Sequence, residues 1–336
     1  MNKNILVTAE EMKNVFYKIL VRHDFDEQKA LRCAEIFTET SVDGVYTHGV
    51  NRFPVFIEYV QKKYVNPHAE TVLKNAFGGL EQWDGNLGVG PLNALKATER
   101  ATHLATQHGI GCVALSNTNH WMRGGTYGWK AAKAGFVFIG WTNTIANMPA
   151  WNAIDTRLGN NPMVIALPFN EEAIVLDMAT SQFSFGALEK FILKGEELPV
   201  YGGFNEKGKL TKDPAAIYKT RRSLPIGYWK GAGLSLLLDL LATILSSGLS
   251  VSEISQREIE YGLSQVFIAI DTSKLMNHSA IKKTIAKIID DYHQSISIDG
   301  TQKILFPGER VLATRKKNLD TGIPVLKTIW EKILSL

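Results

Sequence analysis

His48 and Arg52, four residues apart in Tyr46-Thr47-His48-Gly49-Val50-Asn51-Arg52-Phe53, form the first constellation able to do chemistry. On a helical or near-helical turn that spacing puts both side chains on one face, in reach of a single small ligand. Reducing a ketone next to a carboxylate needs a proton donor at the new hydroxyl, which imidazolium supplies near neutral pH. It also needs a fixed cation for the carboxylate, which guanidinium supplies bidentately. Spacing alone also fits a helix cap at His48 and a surface ion pair at Arg52. The adjacent Gly44 and Gly49 favour a close-packed site.

Four further segments bear on ligands. Ser116-Asn117-Thr118-Asn119-His120-Trp121-Met122-Arg123-Gly124-Gly125 follows a predicted strand ending at Leu115, where α/β sheets place binding loops. Its His and Asn side chains equally suit the backbone groups of a tight loop. Arg157-Leu158-Gly159-Asn160-Asn161-Pro162 reads as a turn before the strand Met163 to Leu167. The following strand ends in Leu176-Asp177-Met178-Ala179-Thr180-Ser181, where Asp177 suits an acceptor for ribose hydroxyls or a cap for the next helix. Gly227-Tyr228-Trp229-Lys230-Gly231-Ala232-Gly233-Leu234 opens an apolar helix, and such an N-terminus offers free backbone donors and Lys230 to a phosphate. The dinucleotide fingerprint of the doubly wound fold is absent, because Gly231-Ala232-Gly233 lacks the third glycine. P-loop, His-Glu-x-x-His and Cys-x-x-Cys patterns are absent too, which disfavours kinase and zinc-hydrolase chemistry and predicts no metal.

The elements that position these residues follow from periodicity. Thr8-Ala9-Glu10-Glu11 has capping-box form, and Met12, Val15, Phe16, Ile19 and Leu20 repeat at helical spacing. A second helix starts near Asp26 and a third follows Pro54, which suits a first turn. From about Glu70 the chain alternates strands and helices, with strands expected at Ala69 to Leu73, Gly111 to Leu115, Phe136 to Trp141, Met163 to Leu167, Ala173 to Met178 and Gln265 to Asp271. The run Leu234 to Leu245 is expected as a buried helix, too short and too interrupted by Asp239 to cross a bilayer. Helices are expected again at Ser279 to His293 and Pro324 to Leu336. Residues 1–72 with 279–336 are therefore expected to form a helical layer built from both termini, around an α/β body at 73–278.

The chain has 336 residues, 45% of them hydrophobic, enough to bury cores without disulfides. Its net charge of +4 is spread over 37 basic and 33 acidic residues, which disfavours a nucleic-acid partner. Cys33 and Cys112 sit in apolar settings and read as buried free thiols of a reducing cytoplasm. Met1 to Val7 lead into Glu10 and Glu11 rather than a long apolar stretch, so neither a secretion signal nor a membrane partner is expected.

Taken together the motifs resemble the malate and L-lactate dehydrogenases of the second type, a family unrelated to the Rossmann-fold enzymes of the same names. The landmarks are Thr47 to Arg52, Asn117 to His120, Gly159 to Pro162, Val175 to Ser181, and Phe306-Pro307-Gly308-Glu309, spread along nearly the whole chain. Gln82-Trp83-Asp84, Gly124 to Trp129 and Leu224 to Gly231 look like bacterial members that reduce a 2-keto sugar acid. The resemblance implies an α/β fold with a non-Rossmann, mostly antiparallel mixed sheet, NADH (or NADPH) as cofactor, a small 2-keto acid substrate, and a homodimer. It implies His48 as proton donor, Arg52 as carboxylate clamp, and Asn119 and His120 on the substrate side. The nucleotide is expected at Ala173, Ile174, Val175, Leu176, Asp177, Met178 and Ala179, at Trp229 and Lys230, and at Gly308, Glu309 and Arg310. Two positions depart from the family pattern: Asn160, where Thr is frequent, and Ala187, where a Gly-Lys pair is frequent. Reductases of other 2-keto acids or cyclic imino acids share the same landmarks, and a non-catalytic ligand-binding protein is the remaining alternative.

Overall fold

A computed structural model describes residues 4–336; Met1 to Lys3, the start of the segment read as lacking a leader, lie outside it. From the N-terminus run β1 (Asn4–Val7), α1 (Ala9–Arg22), α2 (Glu27–Val42), α3 (Phe53–Gln61), β2 (Val72–Phe77), β3 (Leu80–Asp84), α4 (Gly90–His108) and β4 (Ile110–Thr118). Next come α5 (Gly125–Lys133), β5 (Phe136–Thr142), β6 (Met148–Pro149), β7 (Thr156–Leu158), β8 (Met163–Phe169), β9 (Glu172–Met178), α6 (Phe185–Lys194), β10 (Gly203–Phe204), β11 (Leu210–Thr211) and α7 (Pro214–Thr220). The chain closes with α8 (Trp229–Ser246), α9 (Val251–Ile254), β12 (Leu263–Asp271), α10 (His278–His293), α11 (Glu309–Thr321), β13 (Ile323–Leu326) and α12 (Lys327–Leu334).

Helix starts follow local chemistry. Thr8 Oγ1 accepts from Glu11 N at 3.1 Å and Asp26 Oδ1 from Lys29 N at 2.9 Å, each satisfying a free first-turn donor. The apolar faces of α1, α2 and α3 then meet in one core, where Phe16 stacks on Phe53 at 4.0 Å and Phe37 meets Phe53 edge-on at 5.2 Å. The two chain ends share that core: β1 pairs antiparallel with β13, and Trp330 and Ile333 of α12 are buried in it. The tail expected as one helix from Pro324 thus begins as a strand. α10 lies elsewhere, against β8 and the short turn Thr272–Lys274, while α11 lies against α2.

The main sheet has seven strands in the order β2-β3-β4-β12-β5-β8-β9, and only the β3–β4 pair is parallel. The mostly antiparallel mixed sheet expected from the resemblance is the observed one, and a doubly wound parallel sheet is excluded. β3 had no counterpart in the sequence reading, and β2 starts at Val72 rather than Ala69. One face of the sheet is covered by α4 and α5 around Trp121, Tyr127 and Phe267, the other by α8.

α8 departs from expectation. It runs for 18 residues, and by length and composition it is the one helix among the described residues apolar enough to cross a bilayer. Leu238 and Ala242 pack on the sheet, which makes it a layer of this fold. Leu236, Leu237, Leu240, Leu241 and Ile244 are exposed, so it is buried on one face rather than throughout. A run that is apolar on all sides carries no moment to tell which face is covered.

Candidate active site

A cleft of about 630 Å³ brings most of the motif residues together. Its walls include Thr47 and His48 from the turn between α2 and α3, His120 to Gly124 from the loop after β4, and Val175, Asp177, Met178 and Ala179 from β9 and its exit. Thr144, Asn160, Ser181, Gln182, Ser184 and Gly308 complete it. Arg52 and Asn119 do not line this cleft; with Tyr59 they border a separate small pocket that shares His120 and Met122 with it.

The turn that carries His48 is fixed by backbone bonds from His48 N to Val45 O (3.0 Å) and from Arg52 N to Gly49 O (2.9 Å). A Cβ at Gly49 would lie 2.3 Å from Ser41 Oγ, so only glycine lets this turn close onto α2. His48 and His120 stack with ring centroids 5.8 Å apart and planes 19° from parallel. Met122 N donates to His120 Nδ1 at 2.9 Å, which leaves the proton of the neutral ring on Nε2. Burial, then the charges of Arg52 and His48, hold His120 well below the ordinary imidazole pKa, so it enters the site as a neutral donor. His48 is lowered by burial, raised by Asp177, and lowered again by Arg52 and Arg123.

Arg52 makes no side-chain hydrogen bond or ion pair among the described residues, leaving its fork open. Asn119 differs. Its Nδ2 donates to Tyr64 O, Leu87 O and Gly88 O at 2.9–3.0 Å, tying three backbone segments together, and its buried Oδ1 has no partner. Towards the cavity it therefore offers only an acceptor. Asp177 caps a helix, though not the one that follows it: Oδ2 accepts from Gly125 N at 2.8 Å at the start of α5. A Cβ on Gly125 would come within 2.9 Å of that oxygen, so glycine permits the contact.

Strand periodicity divides the expected nucleotide segment. Ala173 and Val175 are buried in the core under α5, whereas Leu176 points outward, and Ala173, Ile174 and Leu176 do not line the cleft. Gly308 does line it. Its φ is +94°, an added Cβ would lie 3.2 Å from Val175 N, and Val175 N donates to Pro307 O at 3.0 Å, docking this turn on β9. Glu309 turns inward and braces the turn, accepting from His293 Nε2 (2.9 Å), Lys303 Nζ (2.6 Å) and Phe306 N (3.1 Å). Arg310 is exposed. Trp229 and Lys230 are not brought to this cleft; Trp229 is 65% exposed, and Ala232, one turn on, anchors α8 against Met148 and Leu158.

The two departures from the family pattern have local uses. Asn160 Oδ1 accepts from Thr144 Oγ1 and Asn147 Nδ2, both at 3.2 Å, and its carbonyl accepts from Thr180 N at 2.8 Å. Ala187 donates its N–H to Ser184 Oγ at 3.2 Å, a backbone contact indifferent to the side chain. Sequence reasoning missed Asp43. Its carboxylate pairs with buried Arg123 and with Arg315, whose Nε and Nη2 stand 2.6 and 3.0 Å away. Partners 80 and 272 residues distant leave no local spacing signal.

A family model described as malate/L-lactate dehydrogenase matches residues 7–334. The chain is 46% identical over 331 residues to the 2,3-diketo-L-gulonate reductase of Salmonella newport, covering 98% of this chain and 99% of that one. It is 45% identical, with the same coverage, to the protein of that name from Escherichia coli K12. Among solved structures, malate dehydrogenase from Entamoeba histolytica superimposes with a TM-score of 0.94 at 24% identity, covering 99% of this chain and 98% of that one. Sulfolactate dehydrogenase from Methanocaldococcus jannaschii gives 0.89 at 27% identity with the same coverage.

Proposed function

The chain belongs to the malate/L-lactate dehydrogenase family, an oxidoreductase family, and we propose that it is an NADH-dependent reductase converting 2,3-diketo-L-gulonate to 3-keto-L-gulonate. The observation that carries this reading is the stacked pair of His48 and His120 in a cleft of ligand size, with the unpaired Arg52 in the small pocket that shares His120 with it. The test is cofactor consumption across 2,3-diketo-L-gulonate, pyruvate, oxaloacetate and a cyclic imino acid. The highest kcat/KM is expected for the sugar acid; a higher value for another acid or the imine would replace this reading.

The cradle at Gly308 fits a nucleotide, since a side chain there would meet the backbone of Val175. The buried Trp129 Nε1 beside the cleft, a donor without a partner, is consistent with a polar ligand. Val175, Asp177, Met178 and Ala179 would hold the cofactor along β9, with Asp177 Oδ1 left for a hydroxyl and Glu309 keeping the Gly308 turn in place. Reduced nicotinamide, when bound, supplies the hydride for the 2-keto carbon. Arg52 fixes the substrate carboxylate, His120 donates from Nε2 to a substrate oxygen, and His48 delivers a proton to the developing alkoxide.

Arg52→Lys keeps the charge and loses the fork. We expect kcat/KM for 2-keto acids to fall about tenfold, the worth of one hydrogen bond to a charged group, while a ketone without a carboxylate is little affected. Equal losses for both in steady-state kinetics would count against a clamp.

The charges around His48 set a pH dependence. Reduction needs protonated His48, so the rate falls as pH rises through its pKa. In the free site that pKa is below the ordinary value, through burial and the cations Arg52 and Arg123. A carboxylate on Arg52 offsets one of those cations. The falling limb of kcat should therefore lie at higher pH than that of kcat/KM, and superimposable limbs would contradict the assignment.

The exposed apolar stripe of α8 supports a homodimer, with Trp229 and Lys230 at the start of that helix near the subunit boundary. The two free cysteines support a cytoplasmic setting; Cys112 is half-buried, its thiol pushed up to about 11 by burial.

A further inference from the structure

Thr47 Oγ1 stands 3.2 Å from His48 Nδ1, and both half-buried residues line the cleft. An imidazolium carries a proton on each nitrogen, so in the charged ring Nδ1 can only donate and the Thr47 oxygen accepts. His48 Nε2 makes no hydrogen bond among the described residues and is the nitrogen left to pass a proton on. Once that proton has gone, the neutral ring keeps the other on Nδ1, where the hydroxyl still accepts it.

The hydroxyl is held in place by α6. A Cβ added at Gly186 would lie 2.9 Å from both Cβ and Cγ2 of Thr47 and 3.2 Å from its Oγ1, so only bare backbone lets the helix come this close. Contact on all three atoms restricts the rotation of the side chain. α6 is itself anchored: Ser184 Oγ accepts from Ala187 N at its start, and Leu188 is buried with Leu198 and Ile217. A core cluster thus fixes α6, α6 fixes Thr47, and Thr47 meets the ring of His48.

Charged groups reach His48 from several elements. Burial opposes the imidazolium, Asp177 on β9 favours it, and Arg52 on the same turn and Arg123 after β4 oppose it. His120, stacked on His48, is neutral and supplies no counter-charge. A hydrogen-bond acceptor on Nδ1 is worth most when the ring is charged. We propose that Thr47 is a positioning residue for proton transfer: its hydroxyl, pinned by Gly186 of α6, stabilises protonated His48 through Nδ1 and commits Nε2 to the substrate oxygen. The Nε2–H bond breaks as the O–H bond forms on the alkoxide left by hydride addition, and solvent restores the proton. The inference rests on the reading of His48 as proton donor and is independent of which 2-keto acid is reduced.

The test follows kcat and kcat/KM against pH, on the 2-keto acid the enzyme uses best, in wild type, Thr47→Val, Thr47→Ser, Gly186→Ala and the Thr47→Val/Gly186→Ala double variant. Thermal unfolding checks the fold. Valine keeps the shape and removes the acceptor, which favours the neutral ring. The falling limb of kcat/KM should move down by about one pH unit, the worth of a hydrogen bond to a charged group. Above the limb kcat/KM then drops about tenfold, and the deficit shrinks as pH falls. Thr47→Ser should recover most of the loss. Gly186→Ala displaces Thr47 and should act in the same direction, yet cost less than about twofold in the Thr47→Val background, where the bond it disturbs is already gone. A loss equal at every pH, an unmoved limb, or full additivity of the two substitutions would overturn the proposal. Unchanged turnover in His48→Ala would sink the proton-donor reading itself, whereas an inactive His48→Ala beside a fully active Thr47→Val would sink only the role of Thr47.

Discussion

His48→Ala is expected to lower turnover of a 2-keto acid by ~10²–10⁴, the usual contribution of a positioned general acid, with cofactor affinity nearly unchanged. The separation follows from the geometry. His48 sits on the turn after α2, whereas the proposed nucleotide contacts lie on β9 and the Gly308 turn. His120 cannot take over the proton transfer, because Nδ1 accepts from Met122 N and burial keeps the ring neutral. Steady-state turnover, with tryptophan quenching by NADH as the binding measurement, decides the matter: Trp129 and Trp121 border the cleft and report on its filling. Unchanged turnover would remove His48 from the role, and an equal loss of cofactor affinity would make it a structural residue.

The second large effect is on stability. Asp43→Ala leaves Arg123, 5% exposed, as a buried cation without its carboxylate, and removes the main partner of Arg315. Breaking a buried pair from one side costs about 3–5 kcal/mol, so the melting temperature should drop by roughly 5–10 °C. The exposed pair Asp155–Arg157, at 2.6 Å, is the contrast: Asp155→Ala should leave the melting temperature nearly unchanged. Calorimetry or thermal circular dichroism checks both, and equal shifts would mean that burial does not decide the value of these pairs. An activity consequence accompanies the first substitution. Asp43 offsets Arg123, which already lowers the pKa of His48, so its loss should move the falling limb of kcat/KM to still lower pH.

Much of the architecture was legible because its causes are local. The caps at Thr8 and Asp26 and the Phe16 periodicity act within one or two turns, and α1 and α2 fall where the sequence puts them. β3 was hidden because one of the two buried residues of Leu80–Asp84 is Glu81, paired with Arg100, so the strand shows no apolar alternation. The tail from Pro324 reads as helix by composition, yet pairing with β1, more than 300 residues away, makes Ile323–Leu326 a strand.

The same division holds for the site. Sequence by itself determined the chemical inventory, because His48, Arg52, Asn119, His120 and the glycines around them are informative as types at short spacing, and several ordered motifs mark a family. Tertiary structure decided how each is used. It set Asp177 at the start of α5, turned Glu309 into a brace, fixed the His120 tautomer through Met122 N, and left Trp229 and Lys230 off the cleft. It also brought Asp43 to Arg123 and Arg315, far along the chain. The reason is physical: propensity and capping operate over a few residues, whereas desolvation and charge pairing depend on whichever segments the fold brings within a few ångströms.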